Sequence, residues 1–378
     1  MDRDEAVSFL QDIVRIKTEN DNETEVAEYI KNLLEKYGID SKLVEYSPGR
    51  SNLVAEISNG EGKVLGISGH MDVVAAGDPN LWSEEQYGAE IVDGKLYGRG
   101  ATDMKSGLAA LVVAMIHAKK SGDYNGTIRL LATVGEETGE VGARQLTDLG
   151  YADDLDAIIV AEPFNGRILY AHGGSYNYAI KSYGLSAHSS TPQLGQNAIQ
   201  HLSQAMVAVQ EEMDKIIGKY ENEKLGRTIH SITLISGGSQ INSIPEYAEY
   251  KSNMRTIPEF DNDKVTELLQ EIVDKLNKKE GFKLELEVLA DMPPVSSNPE
   301  SDLIKVIHEN SHEDDISLIA LPGTTDTAQF RRRNENMDVA IYGPGEFSTL
   351  HKIDEYVEVE QYLEFIETYK RILSAYLN

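Results

Sequence analysis

The residues of this chain that could do chemistry together are two imidazoles and three carboxylates: His70, Asp103, Glu137, Glu162 and His351. The first four stand at, or just after, the carboxyl ends of inferred strands, the end at which open α/β sheets bind ligands. His351 lies in a C-terminal loop after Gly343-Pro344-Gly345. His70 closes the apolar run Val64-Leu65-Gly66-Ile67 within Ser68-Gly69-His70-Met71-Asp72. Residues i and i+2 of an extended chain share a side, so His70 and Asp72 arrive together. Such a donor set suits two borderline-hard divalent ions. A shared carboxylate would hold them about 3.5–4 Å apart, as in two-metal hydrolases. Asp72 would orient His70 through the ring nitrogen that does not bind metal. Glu136 sits beside Glu137 but points elsewhere by alternation. A carboxylate there can take the proton of a metal-bound water, whose pKa zinc brings to about 7. A protein that only stored metal, or an inert metal-binding scaffold, would have no use for it.

Taken singly, each residue has a plainer reading. Asp103 could cap the helix that follows, Glu137 could be a solvated loop carboxylate, and His351 could be a surface histidine. Jointly these readings fail, because carboxylates at the ends of buried strands repel one another without a cation.

The elements that must position these groups follow from periodicity. Helical spacing marks residues 3–16 and 22–37, with Gly38 as a stop. Short strands are expected at 42–46 and 52–57, then the strand ending at His70. A long polar loop runs from Val73 to Lys95 and carries Trp82. The Gly-rich turn 96–105 leads into a helix over 106–119, apolar on most sides and so expected to be buried. Buried strands over 127–134 and 156–161 end in Gly135-Glu136-Glu137-Thr138-Gly139 and Glu162-Pro163. Strands alternating with helices predict an α/β unit, a mostly parallel sheet with helices on both faces. After Gly174 the texture changes. Residues 176–183 alternate like a half-exposed strand, followed by a helix over 197–215, strands over 231–236 and 247–255, a helix over 265–277 and a strand over 283–289. That order predicts an inserted α+β domain with an antiparallel sheet. A helix over 302–308, strands over 316–321 and 339–342, and a closing helix over 359–376 return to α/β texture. The expected division is a discontinuous metal-binding catalytic domain, 1–174 with 292–378, and an inserted domain, 175–291.

Composition limits the chemistry. Hydrophobic residues make up 40% of the 378, enough for a real core, and there is no cysteine, so any metal must use His, Asp and Glu. A net charge of −28 repels phosphate backbones and argues against nucleic-acid binding. No apolar run approaches a membrane span and the N-terminus resembles no signal peptide, so the expected setting is cytoplasmic, with no membrane partner.

The stretches Ser68-Gly69-His70-Met71-Asp72, Gly98-Arg99-Gly100-Ala101-Thr102-Asp103-Met104-Lys105, Gly135-Glu136-Glu137-Thr138-Gly139, Ala161-Glu162-Pro163 and Thr349-Leu350-His351 resemble a known family. It comprises the co-catalytic zinc hydrolases that include succinyl-diaminopimelate desuccinylase, acetylornithine deacetylase, aminoacylase and carboxypeptidase G. The stretches occur in the family's order over essentially the whole chain. The resemblance implies a zinc-exopeptidase-like catalytic domain and a lid through which the protein forms a homodimer. It implies that His70, Asp103 and Glu162 bind one zinc, and that Asp103, Glu137 and His351 bind the other. Cobalt or manganese would fit the same ligands. It implies Glu136 as general base and then acid, with His188, in Ser186-Ala187-His188-Ser189-Ser190, reaching the partner subunit's oxyanion. Asn242, Arg255, Gly323 and Thr324 match positions that contact substrate, and the fork of Arg255 suits a carboxylate. The small-molecule substrate is expected to be an N-acyl amino acid, with succinyl-diaminopimelate preferred over acetylornithine, another acyl amino acid or a dipeptide. Where the lid begins, the chain reads Ala171-His172-Gly173-Gly174-Ser175, whereas well-studied desuccinylases carry a basic pair before Gly-Ser. His117, His201, His230, His308 and His312 have no role in this reading.

Overall fold

Val64–His70 is a strand because its residues are small or apolar on both faces, and six of its seven positions are buried. It pairs in parallel with Gly126–Thr133 on one side and Ala157–Val160 on the other; Ala157–Val160 in turn pairs in parallel with Asp338–Ile341. The antiparallel strands Arg50–Asn59 and Ser41–Ser47 extend the sheet beyond Gly126–Thr133. The computed structural model describes residues 1–313 and 315–378. These strands belong to one unit, Met1–Tyr170 with Ser297–Ile319 and Thr325–Asn378.

Register decides where the site lies. His70 stands opposite Thr133, and Ser68 opposite Val160. Three parallel strands therefore end at one edge, and the chain beyond each of them carries Asp72, Glu136 with Glu137, or Glu162. The helix Ser106–Ser121 is apolar on nearly every side and is buried accordingly. It packs against the His70 strand and the C-terminal helix Val359–Leu377. Its approach to the sheet is set by Gly107, where a Cβ would stand 2.0 Å from the Ala161 carbonyl oxygen.

Three elements of this unit differ from expectation. The connection after Gly139 contains a helix, Val141–Asp148, which starts at Glu140 in the left-handed region (φ 60°) and buries Ala143 and Leu146. Its two turns are too short to establish a helical period. Arg167–His172 is a strand, although its sequence lacks the alternation of an exposed edge. The turn before the buried helix is a wide helical turn, Ala101–Lys105, in which Asp103 (φ −112°, ψ 95°) leaves helical geometry.

The second unit is Ala171–Ser296 with Ala320–Thr324. Its sheet runs Ile229–Gly237, Tyr247–Thr256, Gly174–Tyr183, Leu284–Met292, antiparallel throughout. Tyr247–Thr256 alternates strictly between buried positions and half-buried or exposed ones, as one covered face requires. The covered face packs on the helices Ala198–Lys219 and Asn262–Asn277 through Tyr178, Tyr250, Leu202, Val209 and Leu269. Within Gly174–Tyr183, the stretch 176–183 alternates between buried and half-buried positions as expected, except at Ala179, which is buried. Among the described residues no helix is long and apolar enough to cross a membrane.

Glycine-to-alanine exchange in a helix interior ordinarily stabilises by roughly 0.5–1 kcal/mol. At Gly107 the sign should reverse, because the new methyl meets backbone. We expect Gly107→Ala to lower the thermal unfolding midpoint; a midpoint at or above that of the parent would show that the helix moves aside freely.

Candidate metal centre

Asp103 is the centre of the cluster. Its Oδ1 lies 3.1 Å from Nε2 of His70, and its Oδ2 lies 3.2 Å from Nε2 of His351. One carboxylate thus presents an oxygen to each imidazole. Around these two points stand Glu162, whose Oε1 is 3.8 Å from His70 Nε2, and Glu137, whose Oε1 is 2.9 Å from His351 Nε2. Ligand atoms of His70, Asp103 and Glu137 all lie within 4.8 Å of one another. The five residues put forward from the sequence are therefore together, drawn from separate parts of one unit.

The electrostatics are those of a site short of positive charge. Burial opposes charge on His70, but the bond to Asp103 and the fields of Glu162, Asp72 and Glu136 outweigh it and raise its pKa well above the ordinary value. His351 is pushed up to about 10 by its bonds to Asp103 and Glu137. Asp103 is held low: burial works against its charge, but the two imidazoles prevail. Glu136 and Glu162 move the other way. Burial raises both well above the ordinary carboxylate value; His70 pulls them down, and Glu137 and Asp326 push them up again. Nitrogen and oxygen donors this close, on carboxylates that resist ionising together, fit divalent cations.

Asp72 behaves differently from expectation. His70 Nδ1 bonds to the main-chain carbonyl of Asp72 at 2.9 Å, while the nearest Asp72 carboxylate oxygen is 3.6 Å away. The carboxylate instead accepts the backbone N–H groups of Glu136 (3.1 Å) and Glu137 (3.2 Å). Asp72 therefore orients the histidine with its backbone and holds the Glu136–Glu137 turn with its side chain. Alternation along the strand could not reveal this, since the bonds reach across to a different strand's end.

His188, Asn242, Arg255, Gly323 and Thr324 belong to the second unit. His188 lies in the short strand Ala187–His188, opposite Ser243, and the Ser189 N–H donates to the Asn242 carbonyl at 3.0 Å. Around His188 Nδ1 stand the Ser190 hydroxyl oxygen at 2.7 Å and the Ser190 backbone N–H at 3.2 Å. Arg255 is half-buried opposite Ser175 and Ile229; Gly323 is exposed and Thr324 half-buried. His172 is buried, with Nδ1 2.8 Å from the Gly173 carbonyl.

Three buried charged groups near the cluster make contacts that the sequence motifs do not reveal. Glu355 binds Arg99 and the turn that carries Asp103. Asp326 accepts from the Thr133 hydroxyl at 2.5 Å, and burial raises it to about 7. Lys105 donates to the carbonyls of Ile13 and Ile16. Each is recognisable only once its non-local partner is known.

A family model described as peptidase family M20/M25/M40 matches residues 66–375. The chain belongs to this family. It is 40% identical to a probable succinyl-diaminopimelate desuccinylase of Staphylococcus epidermidis, over 98% of this chain and 97% of that protein. Its fold is similar to that of an M20 family metallo-carboxypeptidase from Sulfolobus solfataricus, at a TM-score of 0.77 and 22% identity, covering 100% of this chain and 99% of that one. It is also similar to the Bacillus subtilis YxeP protein, a dinuclear metal-binding peptidase from the M20 family, at a TM-score of 0.69 and 18% identity over 99% and 98% of the two chains. The M20 chain described here is an amide-cleaving metallohydrolase.

The raised imidazoles set the sign of a pH dependence. Both hold protons near neutrality in the metal-free protein, and a cation must displace them. Binding therefore releases protons and tightens as pH rises. Calorimetric titration of metal-free protein with Zn2+, in buffers of different ionisation heat, should show proton release and rising affinity between about pH 6 and pH 8. Affinity independent of pH, without proton release, would remove His70 and His351 from the ligand set.

Proposed function

We propose that this M20 enzyme hydrolyses the amide bond of an N-acyl amino acid, in the manner of a succinyl-diaminopimelate desuccinylase, with two zinc ions. The observation that carries the metal reading is the Asp103 carboxylate, with one oxygen toward each imidazole. The 40% identity to probable desuccinylases over nearly the whole chain supports the substrate class. His70, Asp103 and Glu162 would hold one cation, and Asp103, Glu137 and His351 the other. When bound, the cations supply Lewis acidity to the scissile carbonyl and acidity to the attacking water.

The chain's own residues do the rest. Glu136 takes the proton of the attacking water at its carboxylate and returns it to the leaving amine nitrogen. A buried setting that raises its pKa suits both halves of that transfer. Asp72 keeps Glu136 and Glu137 in register by binding their amides. His188 would be a hydrogen-bond donor to the developing oxyanion of a partner subunit. Arg255 would clamp a substrate carboxylate, and Asn242, Gly323 and Thr324 would line the same substrate.

The inserted unit, 175–291 by sequence texture, is proposed as the lid and dimerisation domain. Among the described residues Ile229–Gly237 is an edge strand, paired on one side only, and it leaves Ile229, Leu234 and Ile235 at 55%, 62% and 63% exposure. An edge this apolar calls for a partner, and a second copy of the chain would bring His188 in trans.

Two experiments test these proposals. Glu136→Gln should bind two equivalents of zinc yet lose kcat by about 10²–10⁴-fold on the best substrate among N-succinyl, N-acetyl and dipeptide candidates ranked by kcat/KM. Activity near that of the parent would take Glu136 out of the chemistry, and a dipeptide at the head of the ranking would replace the desuccinylase reading. The double variant Leu234→Asp, Ile235→Asp should sediment as a folded monomer with kcat greatly reduced. A parent protein that is monomeric and fully active would end the proposal that His188 acts across subunits.

A further inference from the structure

Glu355 has no exposed surface, and its carboxylate is fully occupied. Oε2 accepts from Arg99 Nη1 at 2.5 Å and from the Gly100 N–H at 3.2 Å. Oε1 accepts from the N–H groups of Thr102 and Asp103, both at 2.9 Å. The amides of Gly100, which has φ 83°, Thr102 and Asp103 turn inward and form a concave nest for an anion. Here the anion is the chain's own side chain. One of the bound amides is that of Asp103, the residue whose carboxylate faces both imidazoles.

The other end of Glu355 is tied to the loop of His351. His351 stands four residues earlier, in the left-handed region at φ 58°. Between them, Asp354 accepts from the Ser83 N–H at 2.7 Å and from the Ser83 hydroxyl at 2.9 Å. The Gly98 N–H donates to the Glu355 carbonyl at 2.9 Å, and Tyr356–Glu358 pairs with Lys95–Tyr97. A single buried residue thus joins the turn bearing Asp103 to the loop bearing His351.

We infer that Glu355 is a positioning residue for the cation subsite formed by Asp103, Glu137 and His351, acting through its hold on the Asp103 turn and the His351 loop. The inference rests on the two-cation reading above. The two subsites depend on Glu355 unequally. His70 and Glu162 stand at the ends of sheet strands, and the strands hold them whether or not Glu355 is charged. Two of the three donors on the other side, Asp103 and His351, lie on the segments that Glu355 joins. Without its charge, three amides and a guanidinium would face one another in a dry pocket, and the turn would open.

The test is calorimetric titration of the metal-free full chain with Zn2+, for the parent, His351→Ala and Glu355→Gln, with folding checked by circular dichroism. We expect two equivalents for the parent and one for His351→Ala. For Glu355→Gln we expect a first cation within threefold of the parent affinity and a second at least tenfold weaker. A merely structural role would weaken both cations alike or neither, and either result in the folded variant would overturn the inference while leaving the two-cation reading intact. If the parent takes up one cation only, or His351→Ala takes up two, the two-cation reading fails and the inference falls with it. Should Glu355→Gln not fold, Glu355→Asp and Arg99→Lys, which keep both charges and displace the pair, replace it. Selective loss of the second cation then supports the inference, and equal binding overturns it.

Discussion

Asp72, Asp103, Glu136, Glu137, Glu162 and Asp326 act on one another and on His70 and His351 at one edge of the parallel sheet. Two unit charges 4 Å apart repel by about 4 kcal/mol at an effective dielectric of about 20. No protein of ordinary stability keeps so many buried carboxylates ionised without compensation. The structure distributes the compensation locally. Asp72 takes two amides, Asp103 takes two imidazoles, and Asp326 takes the Thr133 hydroxyl. Burial leaves Glu136 and Glu162 reluctant to ionise. Divalent charge between the imidazoles would relieve the remainder, as expected of a site that could hold metal.

The sheet makes that arrangement possible because its register is rigid. His70 opposite Thr133 and Ser68 opposite Val160 bring three strand ends to one level. Each end then needs only a short run of chain to deliver its donor. The buried helix Ser106–Ser121 holds the strands from one side, and the Gly107 contact with Ala161 brings that helix close to the residue preceding Glu162. Precision in a preorganised site comes from such packed elements more than from the ligands themselves.

Much of this was legible in the sequence, for physical reasons. A strand buried on both faces is written as an unbroken apolar run, and a donor at its end is visible as the residue where that run stops. His70, at the end of its strand, and Glu137 and Glu162, a few residues past theirs, were put forward on this ground, and the fold brings them together. The antiparallel unit was readable from its alternation at Tyr247–Thr256. What was not legible depends on contacts distant in sequence. The Asp72 carboxylate binds amides 64 and 65 residues away, and Glu355 binds the Asp103 amide 252 residues away. The helix Val141–Asp148 is too short for its period to outweigh the glycines and acids before it. Periodicity reports which face of an element is buried, and is silent on which group a buried charge will meet.

Lys105 and Glu355 stand beside the candidate metal centre without belonging to its cluster of donors. Both are fully buried: Glu355 binds the turn that carries Asp103, and Lys105 lies two residues beyond Asp103 in the chain. Glu355 is an anion inside a nest of amides. Lys105 is its counterpart, with Nζ donating to the carbonyls of Ile13 (3.0 Å) and Ile16 (2.7 Å), where the helix Arg3–Arg15 ends. Burial pushes the lysine down to about 7, against the fields of Glu355 and Asp72. Each therefore answers unpaired backbone groups, donors in one case and acceptors in the other, that an irregular turn and a helix end would otherwise leave buried. Asp103 leaves helical geometry and faces two imidazoles in a turn whose amides are held by Glu355 and whose Lys105 is held by the end of the first helix.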